Sequence, residues 1–214
     1  MGKLTGGPYY HLVGRTGNNV GRVVKGKNVF SMRPAKSNRP PSELQLNQRN
    51  KFAAVTRWMG SGISDFVALG FQDFDSEMTG FNAAVQYNLD HAVTGSAPNY
   101  VIDYPNAKLS RGKLSLPATP EVAAVAGQAL EFTWGATIGS LNAKPGDLAV
   151  CIAYCDMLDT FVMSVGAVTR AALEYELDLP ADFAGESVHC WLAFLSSNKK
   201  VASNSAYLGV VTVT

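Results

Sequence analysis

Residues Ser187–Leu195 read SVHCWLAFL, and this stretch decides the fold. It holds no Gly, no Pro and no charged residue, and it is rich in aromatic, branched and small apolar side chains. Loop-forming residues bound it at 180–186 and 196–200. A short, continuous apolar run between turn signals is the pattern of a strand buried on both faces, at the centre of a sheet.

Shorter strands flank it. The pattern predicts strands at 128–134, 148–154, 160–165, 172–179 and 205–213, with a weaker first strand at Glu121–Val125. Seven strands at short intervals, with turn signals between them, predict an antiparallel sandwich over 119–214.

The segment before the sandwich, 42–118, reads as helical with a strand pair at its end. Pro40-Pro41 forces an extended approach, Ser42 can cap, and Gln45 completes a capping box. The helix from Glu43 to Met59 places Leu44, Gln48, Phe52, Val55 and Met59 near one face, and Gly60 and Gly62 end it. Ile63, Phe66, Val67 and Phe71 predict a second short helix. A third covers 80–93, with Phe81, Ala84, Val85, Leu89 and Ala92 at helical spacing, and the apolar stripe of each helix is expected to face the core. Residues 99–104 then pair with 108–116 across a Pro105-Asn106 turn.

Residues 1–41 are rich in Gly and basic side chains. Val20, Val23-Val24 and Val29-Phe30 have strand character, interrupted by Gly21 and Gly26, so one or two short strands are expected. An extended segment, 33–41, comes next with three prolines. Gly21-Arg-Val-Val-Lys-Gly26-Lys27-Asn28 nearly matches a phosphate-binding loop. Asn28 replaces the hydroxyl residue that motif needs, and Val29-Phe30-Ser31-Met32 is strand-like where the motif requires a helix. No nucleotide or other cofactor is expected.

The net charge of +1 hides a strong asymmetry. Residues 1–57 carry eleven basic residues against one acid, a net +10; residues 58–214 carry seven against sixteen, a net −9. A basic arm is joined to an acidic body, which points to a polyanionic partner, to an acidic patch on a neighbouring copy, or to an arm folded back on its own body. At 47% apolar and 16% charged residues the chain can build a real core and is not disordered. No apolar run is long enough to span a bilayer. The start, MGKLTGGPYYHLVGR, lacks the apolar centre of a secretory signal, so synthesis in the cytoplasm is expected.

Chemistry-bearing residues are sparse. Cys151 and Cys155 are four apart on a predicted strand and share a face; they and Cys190 read as buried small hydrophobes. His189 and Cys190 are adjacent on a strand and face opposite ways, which argues against a zinc site. His11, His91 and His189 form no ligand pair, and there is no G-x-S-x-G elbow. Asp73, Asp75 and Glu77 lack the full calcium-loop pattern, and Asp156 and Asp159 fit a hairpin turn. Neither a metal site nor an enzyme is expected.

Pro120 and Trp134, then Leu179-Pro180 before Phe183 and Gly185, then the long apolar strand, resemble the fibronectin type III branch of immunoglobulin-like sandwiches. The Tyr of the corner is not evident before Trp191. The whole chain also resembles a family of uncharacterised Bacteroidota proteins. The carrying residues are Gly2-Lys3, GRTGNNVG at 14–21, Arg33-Pro34 with Gln45, Arg49 and Phe52, Tyr87-Asn88 with AVTG at 92–95, and SNSAYLG at 203–209. That resemblance implies the fold and lends no activity. The expected fold class is α+β, mainly β: a C-terminal seven-stranded antiparallel immunoglobulin-like sandwich with an N-terminal extended basic arm and two to three helices.

Three functions compete. The first is a non-enzymatic structural subunit that self-assembles or docks into a larger particle, such as a phage-like virion, a tail or a filament. Its arm residues Arg15, Arg22, Lys25, Lys27, Arg33, Lys36 and Arg39 would form the interface. The second is a recognition module that binds carbohydrate or a protein receptor, with Trp58, Trp134 and Trp191 as candidate anchors. The third, ranked below assembly, is nucleic-acid binding by the arm.

Overall fold

The computed structural model describes residues 2–24, 26–35, 38–72, 78–136 and 142–214. The chain divides into two compact units, Met1–Ser42 and Glu43–Thr214.

The first unit holds more order than one or two strands. Four strands, β1 (Gly2–Leu4), β2 (Gly14–Thr16), β3 (Asn19–Val24) and β4 (Lys27–Met32), form an antiparallel sheet in the order β1-β4-β3-β2. Residues 21–24 lie on β3 and residues 27–28 on β4, so the phosphate-loop resemblance falls on two paired strands. Register places Gly2, Phe30, Gly21 and Gly14 side by side across the sheet. This glycine row lets the 5–13 segment cross closely: the Leu12 carbonyl sits where a Cβ on Gly21 would be, and Tyr9 stacks on Phe30 at 5.6 Å.

In the second unit the seven expected strands are all present: β7 (Glu121–Val125), β8 (Ala129–Thr133), β9 (Leu148–Cys155), β10 (Thr160–Thr169), β11 (Glu174–Asp178), β12 (Ser187–Leu195) and β13 (Ala206–Thr212). They form a four-stranded sheet, β10-β9-β12-β13, and a three-stranded sheet, β11-β8-β7. The fold is α+β and mainly β. Strand β12 spans the residues expected and lies inside its sheet, between β9 and β13.

Both faces of the larger sheet are buried. On β9 and β12 one face presents Ala149, Cys151, Ala153 and Cys155 with Val188, Cys190, Leu192 and Phe194 to the smaller sheet's Leu130, Phe132 and Leu177. The other face presents Val150, Ile152, Tyr154, Trp191, Ala193 and Leu195 to a helical layer. That layer is α1 (Glu43–Gly60), α2 (Ser64–Gly70) and α3 (Gly80–His91), with Val55, Trp58, Met59, Phe66, Val67 and Ala84 turned to the core. Period-two alternation on strands and helical spacing on the cover produce two cores on either side of one sheet.

Two expectations need correction. The apolar stripe of α1 is not all core: Val55 and Met59 are buried, but Leu44 is 80% exposed and Phe52 51%. An 18-residue helix is about 27 Å long, and only its last turns reach the core. The strand pair is also displaced. β6 (Asn99–Ile102) pairs backward with β5 (Val93–Ser96), whose first residue the sequence assigns to the helix, and 108–116 forms no strand with it.

The reason lies in where the backbone groups of 108–116 go. Asn88 Nδ2 donates to the Lys108 carbonyl at 2.8 Å, and Asn88 Oδ1 accepts from the Lys108 N–H at 2.9 Å. The Leu109 N–H donates to Ser205 Oγ at 2.9 Å, and the Arg111 N–H to the Gly70 carbonyl at 2.9 Å. Side chains and a helix end meet these groups, so no strand partner is required. Gly70 is needed there because Ser110 Cβ lies 2.6 Å from where its own Cβ would be.

Trp191→Ala, which empties the largest side chain of the shared sheet, is expected to cost about 3–5 kcal/mol in urea unfolding. Leu44→Ala on the exposed half of α1 should stay within about 0.5 kcal/mol.

Candidate functional site

Two surfaces stand out, one in each unit. In the N-terminal sheet, ladder register sorts side chains by face. Lys3 pairs with Val29, Arg22 with Val29, Arg15 with Val20, and Lys27 with Val24. Directly paired residues share a face, and alternate residues along a strand share it too. All four basic residues of the strands therefore lie on one face, beside Val20, Val24 and Ser31. Arg33 comes just after β4, and Arg39 lies in the segment before α1; both are exposed. Lys25 and Lys36 lie outside the described residues. The structure thus brings Arg15, Arg22 and Lys27 together with Lys3, which lies outside the interface set read from the sequence.

The second surface is a cleft of about 370 Å³ in the larger unit, lined by the last turns of α1, by β6 and by the β9–β10 turn. Trp58 and Tyr154 are buried in its wall, and Tyr100 and Tyr104 are half-buried. Its polar groups are ordered. Tyr104 Oη donates to Asp156 Oδ1 at 2.6 Å and Tyr154 Oη to Asp159 Oδ1 at 2.9 Å. Arg57 Nε donates to Asp159 Oδ2 at 3.1 Å, with the Arg57 side chain 79% exposed. Burial first, and then the bonded carboxylate, holds the phenols of Tyr104 and Tyr154 well above the ordinary tyrosine range.

Behind Tyr104 the ring of His189 lies 4.0 Å away, with its Nδ1 2.8 Å from Tyr207 Oη. Burial lowers the His189 pKa, and Asp156 opposes that shift. The Trp58 indole N–H is buried and has no hydrogen-bond partner among the described residues.

Of the three tryptophans, Trp134 donates its Nε1 proton to the Arg170 carbonyl at 2.9 Å inside the sandwich, and Trp191 is fully buried. Only Trp58 borders the cleft. The cysteines are free and buried, and burial pushes the Cys190 thiol up to about 12. Cys190 belongs to the inter-sheet core and His189 to the opposite, aromatic face. Asp73, Asp75 and Glu77 lie outside the described residues, and no metal-binding cluster occurs among the described ones. The cleft carboxylates read in sequence only as turn formers. Their arrangement in a cleft needs α1 and β6 beside them, and no local signal announces that.

A family of unknown function, DUF6266, matches residues 11–209. No curated protein matches the chain at a significant level. Among solved structures, the chicken CNTN1 FN1–FN3 domains align over 52% of this chain and 35% of that one, at 8% identity and a TM-score of 0.32. Among the described residues no helix is long and apolar enough to cross a membrane.

The raised phenol pKa values set a pH dependence. Above about pH 10 the unfolded chain loses tyrosine protons that folded Tyr104 and Tyr154 keep, so the unfolded state binds fewer protons and stability falls as pH rises. Urea midpoints measured on either side of pH 10 should show this fall. Asp156→Asn, which removes the acceptor charge, should make it shallower.

Proposed function

The chain belongs to the DUF6266 family of unknown function, and from that premise we propose that it is a structural, non-enzymatic subunit that docks into a larger assembly through its N-terminal sheet. The observation that carries this reading is the one-sided placement of Lys3, Arg15, Arg22 and Lys27. Residues 1–42 contain eight basic residues and no acid. The N-terminal unit also buries few of its own apolar side chains: Tyr9, Val13, Val23 and Met32 are 55%, 71%, 47% and 74% exposed. A sheet of this size without a core gains stability by lying against something else.

The partner we assign is an acidic surface of a neighbouring subunit, for which the net −9 of residues 58–214 in a second copy is suited. Strands β1 and β2 are the outer strands of the sheet, so backbone pairing with a neighbour's strand can accompany the charge contact. Head-to-tail contacts of this type generate rings or filaments, as in a phage-like virion or tail, and an assembled particle would be the site of action.

Light scattering of the full chain, of Arg15→Glu/Arg22→Glu/Lys27→Glu and of a deletion of residues 2–41 tests this. The full chain is expected to be oligomeric at low salt and to dissociate at high salt, with both variants folded and monomeric. A monodisperse full-length monomer at high concentration and low salt would overturn self-assembly. Tight, steeply salt-dependent binding of single-stranded DNA would transfer the basic face to nucleic acid.

A further inference from the structure

The aromatic cleft lies wholly within the larger unit, and the docking reading makes no use of it. Its chemistry is mixed in a specific way. Asp156 and Asp159 each retain acceptor capacity beyond the tyrosine and arginine bonds they make, because a carboxylate offers about four lone-pair sites. Arg57 is held through Nε, which leaves its terminal nitrogens as donors on an exposed side chain. Trp58 is 3% exposed, borders the cleft and has an indole N–H without a partner among the described residues. Tyr100 and Tyr104, half-buried, add ring surface.

These features discriminate between ligand classes. An organic cation suits aromatic rings and carboxylates, but it has no acceptor for Arg57, and Arg57 already neutralises one of the two charges. An anion is opposed by both carboxylates. A hydroxyl-rich neutral ligand donates to Asp156 and Asp159, accepts from the terminal nitrogens of Arg57, and lays its C–H surface on tyrosine rings. The volume of about 370 Å³ falls at the small end of the range for ligand sites. We propose that the cleft bordered by Trp58, Tyr100, Tyr104, Asp156, Asp159 and Arg57 binds a neutral saccharide.

The test titrates the full chain with cello-, xylo-, manno- and chito-oligosaccharides, read by tryptophan fluorescence and calorimetry, with tetramethylammonium as the cationic probe. At least one oligosaccharide is expected to bind saturably with little change between low and high salt. Tyr100→Ala and Arg57→Ala, both away from the core, should weaken it about tenfold or more, with circular dichroism unchanged. Three outcomes overturn the proposal: no binding across the panel; binding of tetramethylammonium alone; or saccharide binding that Tyr100→Ala and Arg57→Ala leave unchanged. None of these readouts depends on oligomeric state, so this proposal and the docking reading can fail separately.

Discussion

Strands β9 and β12 pair antiparallel over eight residues, Leu148–Cys155 against 188–195, and neither has a face left to water. That pairing is the constraint on which the larger unit depends. One face needs a second sheet, which β7, β8 and β11 supply. The other needs a further layer, which α1, α2 and α3 supply. Without the helices, Trp191, Ile152 and Leu195 would meet solvent, and burial of each is worth on the order of 1.5–3 kcal/mol. The helices are thus required by the strand pair and are not an appendage to a finished sandwich.

The N-terminal sheet obeys different physics. Its inner strands β3 and β4 are paired on both sides, and a row of glycines admits the 5–13 segment across one face. What it lacks is an interior: among its described residues only Gly21, Asn28 and Val29 are buried. Hydrogen bonds set its shape, while the four basic residues of its strands share one face. Its charge is of one sign, with no acidic residue over residues 1–42.

The cleft arises where three elements meet that are remote in sequence. Helix α1 brings Arg57 and Trp58 on consecutive positions, one exposed and one buried. Strand β6 brings Tyr100, and the residues just after it bring Tyr104. The β9–β10 turn brings Asp156 and Asp159, whose carboxylates orient two phenols and a guanidinium. The turn thus carries more than chain reversal, since its two acids fix the donors and acceptors of the site.

Much of this was legible without coordinates. The uninterrupted apolar run of Ser187–Leu195 implied two covered faces, because no alternation left a side for water, and the strands around it come from their own periodicity. The charge asymmetry was likewise a matter of counting. Periodicity could not say how far a helix reaches past its support, so Leu44 and Phe52 read as core and are exposed. Nor could it show that Asn88 and Ser205 would satisfy the backbone at 108–109, which turned an expected strand into a pinned loop. Ladder register alone placed Lys3, Arg15, Arg22 and Lys27 on one face, and only packing brought Trp58 to Asp156. The sequence by itself determined which segments must be buried, since hydrophobicity is a local property of the residues. The tertiary structure decided which polar groups meet, since hydrogen bonds and clefts depend on distances between segments that the order of residues does not contain.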